Sequence, residues 1–129
     1  MPQVKWIKIH TGIFDDEKIK IIDSMPDRDA VFVIWIKLLT LAGKVNDNGF
    51  IYVSENMPYT NEMLASVFNR PLNTVKMALE IFERFNMIEI CHGTTNICNW
   101  EKHQNNDGLA KIREKDKERK RLERERQVS

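Results

Sequence analysis

Cysteine, glycine, proline and long apolar runs are all scarce in this sequence, and each scarcity removes a class of protein. Cys91 and Cys98, the two cysteines in 129 residues, form neither a CxxC pair nor a disulfide framework. A hairpin could bring them opposite each other, but the rest of the sequence argues for free thiols. With six methionines and no signal-like segment at the start, they read as reduced thiols in a cytoplasm. Cys91, His92, Cys98 and His103 match no standard zinc-ligand spacing. Only five glycines occur, and none builds a phosphate-cradling loop or a Walker lysine motif. The longest apolar run, residues 30–36, stops at Lys37, far short of a membrane span. His10, His92 and His103 lack a Ser, Cys or carboxylate arranged for a triad. Asp15-Asp16-Glu17 serve as well for helix-start charge as for metal. No enzyme, cofactor or metal is expected.

The remaining composition suits one domain with a real core, 42% hydrophobic and 30% charged. A net charge of +1 hides a split. Residues 1–110 carry 11 Lys/Arg against 14 Asp/Glu, a net of −3, whereas residues 111–129 carry 9 against 5, a net of +4. A polyanion would meet the tail first. We divide the chain into a domain at 1–106 and a charged helical tail or linker at 107–129.

Trp6 to His10 alternates loosely, as an edge strand or an extended arm would. Acids at 15–17 open a short helix that ends before Pro26. A second helix is expected over 28–42, stopping at Gly43. It is apolar almost all round, so more than one side must be covered. The cover is either the N-terminal segment or a second copy of the chain. In the second case Phe32, Trp35 and Ile36 are its most exposed members and form the interface.

Asn46-Asp47-Asn48-Gly49 is a turn, and residues 50–53 a short strand. Thr60 caps a helix to about Phe68, Asn69-Arg70 turn the chain, and Pro71 starts a helix running to about Phe85. Residues 87–91 and 95–100 read as a hairpin about His92-Gly93-Thr94. Helix, strand, helix, tight turn, helix and hairpin follow one another in the order of a winged helix-turn-helix. The expected class is mainly α with a small β-hairpin, an extra N-terminal helix and a charged C-terminal helix. Its base is clamped by Leu64, Val67, Val75, Leu79 and Phe82.

At about 100° per residue, the face of the last helix opposite Val75 and Leu79 holds Asn73, Met77, Glu80 and Arg84, flanked by Thr74 and Lys76. A recognition helix puts its N-terminal residues at base edges. Asn73, Thr74, Lys76 and Met77 are thus candidates for the major groove, Asn suiting adenine. Arg84 lies farther along the same face. Arg70, Thr60 and Asn61 are placed to hold phosphates, and Thr94, Thr95 and Asn96 to touch a neighbouring groove from the wing tip. Glu62, Glu80, Glu83 and Glu89 oppose this reading, and winged helices also dock proteins. In the tail, acid-to-base pairs such as Glu114–Lys117 support a solvated helix. There Lys115, Lys117, Arg119, Lys120, Arg121 and Arg124 can line phosphates without sequence preference.

Several blocks carry a more specific signal: Trp6-Ile7-Lys8, Ile13-Phe14-Asp15-Asp16-Glu17-Lys18-Ile19, Trp35-Ile36-Lys37-Leu38-Leu39, Leu41-Ala42-Gly43-Lys44, Pro58-Tyr59-Thr60, Glu62-Met63-Leu64-Ala65 and Asn99-Trp100-Glu101-Lys102-His103-Gln104. In this order they resemble the N-terminal domain of phage replisome organisers, replication initiators of phages and prophages of low-GC Gram-positive bacteria. The resemblance implies a winged helix related to the N-terminal domain of DnaD-type primosome proteins, which supports self-association. Expected partners are double-stranded origin DNA (or single strands), further copies of the chain in a dimer or higher oligomer, and a host helicase loader or primosome protein. No membrane is involved. Relatives of this kind continue past this length, which implies an N-terminal fragment or a short version.

Overall fold

The computed structural model describes residues 5–104 and residue 119. Its elements follow from local chemistry. Asp16 sits in extended backbone, and its carboxylate accepts from the Lys18 and Ile19 N–H groups at 2.9 and 3.2 Å. That cap starts α1 (Glu17–Asp23), just after a single 3-10 turn at Ile13–Asp15. The central helix, α2 (Arg28–Val45), buries Val31, Ile34, Trp35, Leu38, Leu39, Leu41, Ala42 and Gly43. It touches α1, the first strand and α4 (Leu72–Arg84). The apolar circumference is therefore covered within the chain, by the N-terminal segment among others.

Helix α2 does not stop at Gly43 as expected. It runs to Val45, where Asn46 takes the left-handed conformation and its N–H donates to the Ala42 carbonyl. Gly43 is needed for another reason: a Cβ there would lie 2.7 Å from Ile7 Cγ2. The segment before the 3-10 turn is thus an extended arm, not a strand, and it lies along the end of α2. Its other anchor is α5 (Trp100–Gln104). The Lys8 N–H donates to Gln104 Oε1 at 2.7 Å, and Gln104 Nε2 donates back to the Lys8 carbonyl at 2.9 Å.

The strands are β1 (Phe50–Ser54), β2 (Met57–Pro58), β3 (Ile88–Cys91) and β4 (Thr94–Ile97). They form one antiparallel sheet in the order β2-β1-β4-β3. The expected hairpin is thus half of a four-stranded sheet, with β1 added to its inner edge. Its second strand ends at Ile97, because Asn99 (φ 59°) turns the chain and Trp100 begins α5. The turn into β1 is held by Tyr52, whose hydroxyl donates to Asp47 Oδ2 at 2.6 Å. That bond, some burial and the nearby carboxylates push the phenol up to about 12.

Helix α2 packs directly on β1 and on α4, and α4 packs in turn on α3 (Asn61–Phe68) and on β3. Leu64, Val75 and Phe82 are fully buried, and the Phe82 ring packs on Trp35 with centroids 5.1 Å apart. Two members of the expected clamp differ. Leu79 is half-buried and Val67 is 55% exposed. The short α3 buries only Leu64 and Phe68 fully, and Val67 falls beside that narrow stripe. The result is a winged-helix-like arrangement of five α-helices and a small sheet among the described residues. The expected charged C-terminal helix, with Lys115, Lys117, Lys120, Arg121 and Arg124, lies outside them. Residue Arg119 is helical and exposed.

Candidate nucleic-acid interface

The corner between α3 and α4 is built tightly. Asn69 sits in the left-handed region (φ 54°), and the Arg70 N–H donates back to the Ala65 carbonyl at 3.0 Å. Asn is among the few residues that tolerate such a backbone. Pro71 precedes the first turn of α4 with extended ψ, so the helix leaves the corner at once. Before α3, the Thr60 hydroxyl accepts from the Met63 N–H at 3.2 Å. That acceptor caps the helix, and Thr60 itself is exposed.

Asn61, Asn73, Lys76 and Arg84 are exposed as expected. Thr74, Met77 and Arg70 are half-buried. Met77 leans on the core, which removes part of it from the outward row. Arg70 donates from its guanidinium to the Asn69 carbonyl at 3.0 Å, leaving its other N–H groups available. Charges on this surface nearly cancel: Lys76 and Arg84 share it with exposed Glu62, Glu80 and Glu83. Without a positive field, phosphate attraction is weak and only the fit of particular contacts remains.

The wing differs from expectation at its tip. The β3–β4 turn is His92-Gly93, both left-handed (φ 52° and 80°), the two-residue turn that matches strand twist. Thr94 pairs with Cys91, Thr95 with Ile90 and Asn96 with Glu89, so all three belong to β4. Asn96 is buried, and its amide donates to the Asn48 carbonyl at 3.1 Å. It cannot reach a groove. Thr94 and Thr95 are half-buried beside β1. The exposed wing side chains are Glu89, Ile90 and His92, a set with no fixed positive charge.

The two cysteines do not face each other. Cys98 donates its N–H to the Met87 carbonyl, while Cys91 stands opposite Thr94. Desolvation, and next the charge of Glu89, push both thiols up.

Of the three residues expected at a subunit contact, Trp35 is buried in the core against Phe82. Phe32 and Ile36 are half-buried. The Phe32 ring lies 5.3 Å from that of Phe14. Phe14, 61% exposed, lines a shallow cleft with Phe32, Ile19, Ile22, Asp23 and Asp29. The exposed apolar seam is thus Phe14 and Phe32, with Trp35 removed from it.

The sequence marks residues 6–10 as an edge strand or an arm, but not as part of a surface. Trp6 is 80% exposed, and Lys5, Lys8, Lys44 and Lys102 are exposed around the arm and the ends of α2 and α5. Lys5-Trp6 and Lys8 were visible signals, but the convergence of three distant segments was not. Among the described residues, no helix is long and apolar enough to cross a membrane.

A family model, N-terminal phage replisome organiser, matches residues 6–125. No curated protein and no solved structure matches the chain significantly.

Proposed function

The chain belongs to the N-terminal phage replisome organiser family and so has a role in phage DNA replication; from that premise we propose that it binds origin DNA through α4. There it organises replisome assembly in the cytoplasm of the bacterial host, with further copies or a host helicase loader as partners. We assign it no reaction. The observation that carries this reading is the outward row at the start of α4, where Asn73 and Lys76 are exposed beside Thr74 and directly follow a rigid corner. An amide there can pair with adenine, and a lysine can reach a base or a phosphate. Thr60, Asn61 and Arg70 flank the row at the ends of α3 and serve as phosphate contacts.

The neutral surface makes this binding modest and dependent on individual contacts. Mobility shift with origin duplex and a scrambled duplex tests it. Losing one good base contact costs about 1–3 kcal/mol, so Asn73→Ala is expected to weaken origin binding about tenfold and leave scrambled binding unchanged. No change on the origin, or equal loss on both, removes α4 as the reader.

A second reading is favoured by the Phe14–Phe32 seam. It makes the domain a self-association module of the initiator, with little DNA binding of its own. Contiguous exposed apolar patches can mark protein–protein contact sites.

A further inference from the structure

Beyond α4, we infer that the junction of the N-terminal arm, the end of α2 and α5 is a binding surface for single-stranded DNA, with Trp6 as its stacking platform. This deepens the replication-origin reading by naming a second DNA form and the surface that takes it.

Four observations converge. The arm is fixed in place, because the Lys8 backbone exchanges two hydrogen bonds with the Gln104 side chain and Ile7 seats on Gly43. Trp100 meets the same region, its ring 4.0 Å from the position of a Gly43 Cβ. On this anchored backbone Trp6 is left 80% exposed, so its indole faces are free of the core. Lys5, Lys8, Lys44 and Lys102 are all exposed on these three segments, with His10 and His103. Since only the Lys8 backbone is used by Gln104, its ammonium is available. Glu101, half-buried, is the acid on α5; Asp15, Asp16 and Glu17 follow the arm and are exposed, and Asp47, after α2, is engaged by Tyr52.

An exposed indole on a surface that also carries exposed lysines suits an unpaired strand. Its bases are free to stack on an indole, whereas duplex bases are already stacked on each other. Lysines then follow the backbone without reading sequence. The surface around α4 lacks this excess of cations. In the sequence after α5, the Lys/Arg-rich stretch begins at Lys111, extending the same sign of charge.

The test uses the full chain with an oligothymidylate and a blunt duplex. Tryptophan emission is expected to be quenched on adding the oligothymidylate, and the quench to be lost in Trp6→Ala although Trp35 and Trp100 remain. Trp6→Ala should weaken that binding about tenfold and change duplex binding less than twofold, while Trp6→Phe retains most of it. Replacing Lys5 and Lys8 by Gln should lower the slope of log affinity against log salt by about 1.4. Unchanged oligothymidylate affinity in Trp6→Ala overturns the inference, as does equal loss on both DNAs or an effect confined to self-association. Each of these outcomes leaves the Asn73 result on origin duplex standing. Conversely, failure of the Asn73 test does not disturb a Trp6-dependent single-strand signal.

Discussion

The two left-handed glycines, Gly49 (φ 89°) and Gly93 (φ 80°), make different demands on their surroundings. A Cβ at Gly49 would lie 2.6 Å from Trp100 Cβ and 2.9 Å from the Ile97 carbonyl oxygen, whereas at Gly93 nothing stands within 4 Å. The first substitution combines backbone strain with overpacking against the sheet and α5; the second meets strain alone. Gly49→Ala should therefore cost about 2–4 kcal/mol and Gly93→Ala about 1 kcal/mol, read as shifts in urea midpoint. Equal shifts would show that crowding by Trp100 contributes nothing. In the sequence, Gly49 was recognisable as a turn residue after Asn46-Asp47-Asn48, because turn chemistry is local. Gly43 was misread as a helix stop. Its real constraint is Ile7, thirty-odd positions away, and no local pattern reports such an approach.

At the scale of elements, α3 depends on a cap that the sequence displayed openly. Thr60 in extended backbone accepts from the Met63 N–H. Thr60→Ala should lower stability by about 1 kcal/mol in denaturant unfolding, and Thr60→Ser should restore most of it. A Thr60→Ala protein as stable as the parent would mean that the cap is idle. If DNA affinity falls in Thr60→Ser too, the residue's methyl group rather than its hydroxyl is in play. The α3–corner–α4 unit was legible because its helical period, Asn-Arg-Pro corner and capping residue all agree. The sheet was less so. Pairing of β1 with β4 joins Phe50 to Asn96, and strands of five and four residues carry too little alternation to announce a partner. For the same reason Asn96 was expected at a wing tip, when it sits mid-sheet with its amide committed to Asn48. Val67 was assigned to the clamp because it is apolar and near the stripe, but an eight-residue helix with one packed flank leaves it outside.

Across the whole molecule, the choice between two covers for α2 was open in the sequence, because an apolar circumference does not say who covers it. Coordinates place α1 over it and bury Trp35, leaving Phe14 and Phe32 as the residual apolar seam. If that seam joins copies, Phe14→Ser should lower the mass-average size seen by light scattering across a concentration series, with helix content unchanged. A parent protein that stays monomeric at the highest concentration rejects self-association. The candidate sites were legible in unequal measure: Asn73 and Lys76 emerged from helical geometry alone, while the arm surface required knowing which distant segments meet.

Lys8 and Gln104 stand 96 positions apart in sequence yet share one amide-sized clasp. The described domain is therefore a closed circuit, with a single doorway through which the polypeptide both arrives and departs. The α3–α4 corner is held by contacts of its own, apart from that clasp.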